Sequence, residues 1–289
     1  MISMFKIIPP CAVYNIIVLN TTEFKLKTEA FTKISLIFHF GFTILTRIFS
    51  VSSASDYIMK AERRGDTMDF RHEIKHEISC SDMITIRHRL SAVAYHDPHT
   101  IDGKYLIRSL YFDNLSDKAL MEKINGVSRR EKFRIRYYNG DTSLMHLEKK
   151  SKTDHLGTKH IAPLTAQQAQ RIVDGDTQWM IASQYQLIRE LYCKMQTEGI
   201  VPKTIVDYTR EPFIFPAGNV RVTLDYNIRS GMRCTDFLSP DCVTVPVSDS
   251  IILEVKWDGF LPDIIRDAVA LSDRREGAFS KYAACRIYG

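Results

Sequence analysis

Charged and apolar residues alternate at period two in several separate stretches of this chain. In Lys132-Phe133-Arg134-Ile135-Arg136-Tyr137, basic residues fall on every second position. The same spacing groups Glu148, Lys150 and Lys152, then Arg221, Thr223 and Asp225, then Glu254 and Lys256. Successive side chains of a β-strand point to opposite faces, so each stretch puts charges on one face and apolar groups on the other. A fold built from them carries a charged surface, mostly Lys and Arg with a few carboxylates, on one side of a sheet. Such a surface suits a polyanion held together with a divalent metal.

The surrounding pattern supplies the rest of the sheet. Residues 70–78 read as a first strand, with Arg71, Glu73, Lys75 and Glu77 on one face. Ser79 or Ser81 caps a helix over 82–90. A second strand spans 105–113 and ends at Asp113-Asn114, which organise a turn; a short helix over 116–125 closes at Gly126. Strands over 131–138 and 144–152 form a hairpin around Asn139-Gly140, a strong turn signal. Apolar spacing predicts helices over 165–173 and 180–196. Strands over 203–213, 220–229 and 251–257 follow, then a helix from Pro262 to about 271 and a last one over 277–286. There is no βαβ alternation and no internal repeat. The expected class is α+β, with a predominantly antiparallel sheet closed as a barrel and flanked by helices.

Charge separates two parts of the 289-residue chain. Residues 1–67 hold eight Lys/Arg and five Asp/Glu, leaving 31 against 29 in the remainder. The near-neutral remainder argues against a broad nucleic-acid-binding surface. The apolar run over 34–45 contains His39 and Gly41 and is shorter than the roughly 20 residues of a spanning helix. Glu62-Arg63-Arg64-Gly65 can be encoded by a purine-rich ribosome-binding sequence just before the Met68 codon. We therefore expect residues 1–67 to be a poorly ordered leader upstream of a true start at Met68, in a bacterial gene. Six scattered cysteines (Cys11, Cys80, Cys193, Cys234, Cys242, Cys285) form no CxxC pair, so reduced thiols in a cytoplasmic protein are expected rather than a zinc site or disulfide framework. The histidines His72, His76, His88, His96 and His99 show no metal-like spacing on a shared face.

Alternation alone leaves two arrangements open. With apolar side chains filling a barrel, the charges face water. With helices over the outside of the sheet, the charges line a lumen. A lumen of Lys and Arg repels itself when empty and calls for an anion. Arg offers planar bidentate contacts to phosphate, and Lys a mobile point charge. Glu254, with Glu73 and Glu148 as further candidates, would hold Mg2+ or Mn2+ through oxygen. No P-loop, kinase-type glycine loop or dinucleotide fingerprint is present.

The segments RHEIK (71–75), SLYFDN (109–114), KFRIRYY (132–138), LEKKSK (147–152), DYTREPF (207–213), RVTLDYNIR (221–229), ILEVKWDGFLP (252–262) and FSKYAACR (279–286) together resemble the VTC domain. This is the polyphosphate polymerase domain of the vacuolar transporter chaperone complex and its bacterial relatives, among the CYTH-like triphosphate tunnel metalloenzymes. The resemblance runs in order from about Met68 to the C-terminus. It implies a closed antiparallel β-tunnel with basic walls and transfer of the ATP γ-phosphate to a growing polyphosphate chain, with Mn2+ favoured over Mg2+. It implies phosphate contacts from Lys75, Arg134, Arg136, Lys150, Arg210 and Lys256, with Lys281 closing one tunnel end. Tyr208, Lys152 and Arg221 would join them as ligand-binding residues, and Glu254 would ligate the metal. Lys152 stands where the eukaryotic pattern tends to have His. The implied partners are ATP and inorganic polyphosphate. Relatives often work beside transmembrane proteins, which implies a place at the inner face of a membrane. Polymer synthesis, hydrolysis of triphosphate or short polyphosphate, and non-catalytic binding of polyphosphate or inositol phosphates remain open at this level.

Overall fold

The computed structural model describes residues 71–153, 156–271 and 276–288. The expectation of a leader over 1–67 lies outside the described residues. Ten strands form one antiparallel sheet: β1 (His72–Ile78), β2 (Tyr95–His96), β3 (Tyr105–Asp113), β4 (Arg130–Tyr138), β5 (Asp141–Thr153), β6 (Leu156–Leu164), β7 (Val201–Phe215), β8 (Val220–Ser230), β9 (Val245–Ser248) and β10 (Ile251–Trp257). The main path runs β1-β10-β8-β7-β3-β4-β5-β6, with β2 on β7 and β9 on β8. Six α-helices accompany it: α1 (Cys80–Val93), α2 (Lys118–Ile124), α3 (Ala166–Val173), α4 (Gln186–Glu198), α5 (Asp263–Val269) and α6 (Lys281–Ile287).

Local chemistry sets these boundaries. Asn139 and Gly140 both take positive φ, at 53° and 73°, so β4 and β5 turn through the two-residue loop that matches strand twist. The Ser79 hydroxyl accepts from the Asp82 N–H at 3.2 Å and the Asp82 carboxylate from the Ser79 N–H at 2.9 Å, a capping box that starts α1. α6 begins at Lys281 rather than near 277 because the Ser280 side chain caps it by accepting from the Ala283 N–H. The helix expected from 180 starts at Gln186; a 3-10 turn over Gln178–Ala182 precedes it.

The antiparallel α+β expectation holds, but hydrogen bonds do not close the sheet. Among the described residues β1 and β6, the two ends of the path, share no ladder. The free side of β1 instead meets Glu276 in a single bridge, and the Gly277 N–H donates to the Lys75 carbonyl at 2.8 Å. Pro163 removes one donor from β6, as befits an edge strand. The expected closed barrel is therefore not shown: among the described residues the sheet has no closing ladder between its two ends. Curvature is evident in its charges: Lys256 and Glu254 of β10 act on Lys150 of β5, with four strands between them along the path.

Apolar side chains cover the outside of this curl. Leu110, Phe112, Phe133, Ile135 and Leu147 pack under Ala169 and Ile172 of α3 and Leu187, Ile188 and Leu191 of α4. Val222, Leu224, Leu253 and Val255 pack under Met83, Ile86 and Leu90 of α1 and Ile265 of α5. Each fully buried Leu or Ile contributes about 2 kcal/mol over its exposed state. The alternating partners of these residues therefore face inward. Of the two arrangements left open by sequence, helices outside and charges inside is the one adopted.

At one end of the inner face, α2 and α6 pack through Leu120, Tyr282 and Cys285 against Tyr111, Val206 and Ile252. Buried Asp113 joins them. Its carboxylate accepts from the Ala119 N–H at 2.9 Å, the Leu120 N–H at 3.1 Å and the Tyr282 hydroxyl at 2.6 Å. Asp113→Ala orphans these donors and is expected to destabilise the protein by about 3 kcal/mol in urea unfolding; a loss under 1 kcal/mol would show that the junction is not structural. Elsewhere, the Cys234 and Cys242 sulfurs lie 3.3 Å apart, a proximity that their spacing did not reveal, and all five described cysteines are free thiols.

Candidate functional site

The inner face gathers charges from seven strands. On β4, Arg134 donates through Nε to the Glu148 carboxylate at 2.7 Å and through a terminal nitrogen to the Tyr111 hydroxyl at 2.8 Å. Arg136 donates to the Ser109 hydroxyl and to the Tyr208 hydroxyl, both at 2.9 Å. On β7, Arg210 forms a bidentate pair with Asp225 of β8 at 2.6 and 2.7 Å. The guanidinium of Arg210 also lies 3.5 Å from Glu254. Lys281, the first residue of α6, reaches the same Asp225 at 2.6 Å and sits 4.8 Å from the Tyr208 ring centroid.

Glu254 is the hub of the opposite wall. Lys75 and Lys256 approach its carboxylate at 3.1 and 3.2 Å, and both also pair with Glu73. β-ladder register explains this grouping, since Lys75 pairs with Glu254 and Glu73 with Lys256. Burial opposes ionisation of Glu254, but Lys256, Lys75, Arg210 and Lys150 outweigh it and hold the carboxyl well below its usual range. Glu148, buried with Arg134 and with Lys159 at 2.7 Å, is held low in the same way.

Other cations on this face lack such compensation. Lys132 and Lys150 are directly opposite in the β4–β5 ladder, and Arg130 and Lys152 occupy the next inward-facing pair. Among the described residues, Lys132, Lys150 and Lys152 make no ion pair, in contrast to their neighbours Arg134, Lys159 and Lys256. Burial, with Lys256 and Arg134, pushes the Lys150 ammonium well below its ordinary value. Burial, with Arg134 and Lys75, pushes Lys132 down to about 8 despite the favourable Tyr111. Burial disfavours ionised Tyr111, yet Arg134, Lys132 and Arg136 draw it down to about 7.

These two groups set a pH dependence. Between about 7 and 10 the unfolded chain binds more protons than the folded one, at a Tyr whose ordinary value is 10.0 and a Lys at 10.5. A depressed Lys weakens the fold below its folded value, and that penalty is relieved as pH rises. A depressed Tyr adds stability that is lost as pH falls through its folded value. Both signs agree, so stability of the ligand-free protein is expected to rise by several kcal/mol from pH 7 to 9.5. Urea unfolding across this window checks it; a flat or falling profile would remove the strain assigned to the face.

All eleven sequence-predicted residues lie on strands or the helix lining this face. Lys75, Arg210, Lys256, Lys281 and Glu254 meet in one network, which Tyr208 joins to Arg134 and Arg136. Lys150 faces that network from β5. Arg221 is held at one end, 3.3 Å from Asp97, and Lys152 lies toward the other. Sequence reasoning did not single out Lys132, Lys159, Tyr111 or Asp225 as site residues. The signal for Lys132 was present, two positions before Arg134. Lys159 was hidden because β6 was not recognised.

The donor set on the Glu254 wall is two carboxylates, Glu254 and Glu73. No group of three or more His, Cys, Asp or Glu side chains among the described residues makes a metal cage. Two carboxylates suit Mg2+ or a similar hard cation that takes its remaining ligands from phosphate and water. In chemical terms the face can hold a chain of phosphates by side chains alone.

Similar solved structures include a provisionally assigned adenylate cyclase of Bacillus halodurans, 12% identical with a TM-score of 0.40 over 65% of this chain and 80% of that one. They also include the PH1819 protein of Pyrococcus horikoshii, 14% identical with a TM-score of 0.35 over 69% of this chain and 84% of that one. The PH1012 protein of the same organism is 12% identical with a TM-score of 0.37 over 71% and 92%. No curated protein matches the chain. The family described as VTC domain matches residues 70–287, and the chain belongs to that family.

Proposed function

We propose that this protein is a metal-dependent phosphotransferase that extends inorganic polyphosphate with the γ-phosphate of ATP. The observation that carries the reading is the set of unpaired ammonium groups, Lys132, Lys150 and Lys152, on an inner face already lined by Arg134, Arg136 and Arg210. Cations held together without anions destabilise an empty protein, and a phosphate chain supplies the missing charge. Membership of the VTC domain family supports the same substrate class.

In this mechanism the arginines grip phosphate oxygens, and Lys75, Lys150 and Lys256 neutralise them as point charges. Lys281 and Tyr208 limit the site at the α6 end. Glu254, with Glu73, would hold Mg2+ or Mn2+, which would supply charge neutralisation to the phosphates. A terminal oxygen of the polyphosphate attacks the γ-phosphorus, the bond to the bridging β–γ oxygen breaks, and ADP leaves with those electrons. The side chains act by alignment and electrostatic stabilisation, with no covalent enzyme intermediate.

No helix among the described residues is long and apolar enough to cross a membrane. The deciding assay incubates the full chain with ATP, a short polyphosphate primer and Mn2+ or Mg2+, and resolves the products on a gel. Long chains with stoichiometric ADP support the polymerase. Free phosphate without chain growth replaces it with a hydrolase, and no turnover with retained polyphosphate binding replaces it with a binding module.

A further inference from the structure

Thr223 stands between Arg221 and Asp225 on the inner face of β8, directly opposite Glu254 in the β8–β10 ladder. It is 2% exposed, and its Oγ1 is buried without a hydrogen-bond partner. Other inner-face hydroxyls differ. The Ser109 and Tyr208 hydroxyls accept from Arg136, and the Tyr111 hydroxyl accepts from Arg134. A buried hydroxyl with no partner weakens a fold, and valine would fill the same space on a strand without that penalty. Its cross-strand partner Glu254 is the carboxylate on which Lys75, Lys256 and Arg210 converge.

We propose that the Thr223 hydroxyl is a ligand-binding group of this site that donates a hydrogen bond to a phosphate oxygen of the bound polyanion. The inference rests on the polyphosphate reading above and deepens it. A neutral donor suits this place, because it adds a contact to phosphate without adding repulsion to the neighbouring cations. Its partner is missing from the empty protein because that partner is the ligand.

The test compares wild type, Thr223→Val and Thr223→Ser by calorimetric titration with inorganic tripolyphosphate, in EDTA and again with Mg2+, and by thermal unfolding without ligand. Thr223→Val is expected to bind about tenfold more weakly under both conditions. Its ligand-free Tm is expected to be higher by about 3 °C, because the unsatisfied group is gone. Thr223→Ser is expected to retain wild-type affinity. Equal affinity of wild type and Thr223→Val overturns the proposal. A deficit confined to Mg2+ also overturns it, placing the hydroxyl on metal-bound water. A fall in both Tm and affinity for Thr223→Val assigns a structural role instead. Wild type that binds no tripolyphosphate in either condition removes the polyphosphate reading and this inference with it, an outcome distinct from a binding wild type that the valine variant matches.

Discussion

Glu254→Ala is expected to lower metal-dependent phosphoryl transfer about 1000-fold while the protein stays folded. The carboxylate is 5% exposed, is held well below the usual carboxylate range by its neighbouring cations, and is central to a wall it shares with Lys75, Lys256 and Glu73. The alanine variant retains anions for its neighbours. Lys75 and Lys256 keep Glu73, and Arg210 keeps its bidentate pair with Asp225. The fold therefore loses one counter-charge rather than the whole network. ADP release with Mg2+ and with Mn2+, alongside the circular dichroism spectrum, measures both parts. Turnover within about threefold of wild type would remove Glu254 from the metal role, and an unfolded spectrum would make it a structural anion. Glu254→Gln, which keeps the shape, separates these cases if the alanine variant is unstable.

Arg134→Ala is expected to act on both stability and turnover. Arg134 is 8% exposed and shares the buried Glu148 with Lys159. Without Arg134, Glu148 keeps one cation of two and the Tyr111 hydroxyl loses its donor. Removing one partner of a buried pair costs about 3 kcal/mol, measurable in urea unfolding. Loss of the phosphate contact proposed for Arg134 is expected to lower turnover about 100-fold or more. The double variant Arg134→Met, Glu148→Gln removes both charges and is expected to recover much of the stability without recovering activity. Recovery of both would mean that Arg134 serves only to neutralise Glu148.

Much of this arrangement was legible in sequence for a definable reason. Arg134 and Arg136 are two residues apart in a strand with Phe133 and Ile135, so their shared face follows from backbone geometry alone. Asn139-Gly140 fixed the β4–β5 hairpin, and with it the opposition of Lys132 to Lys150. What alternation could not supply was which face turns inward. That depends on α3 and α4 burying Ile135 and Leu147 from outside, a tertiary event with no signature in either strand. β6 was missed because Gly157 and Pro163 weaken strand propensity, although an edge strand tolerates both. The missing closing ladder was equally hidden, since it depends on how far several strands curl together. The strand pattern and the resemblance to a tunnel family both suggested closure, which the ladders of the described residues do not show.

The outward placement of the greasy side chains has a consequence for cooperativity. Among the described residues the apolar core is divided. One apolar layer, under α3 and α4, clads β3 to β6; another, under α1 and α5, clads β8 and β10. Between them lies the charged inner face, with a smaller apolar cluster under α2 and α6 at one end. Heat can therefore loosen the two claddings at different temperatures, giving a broadened melt. A phosphate chain gripped from both walls would tie the halves together, so ligand would sharpen the transition as well as raise it.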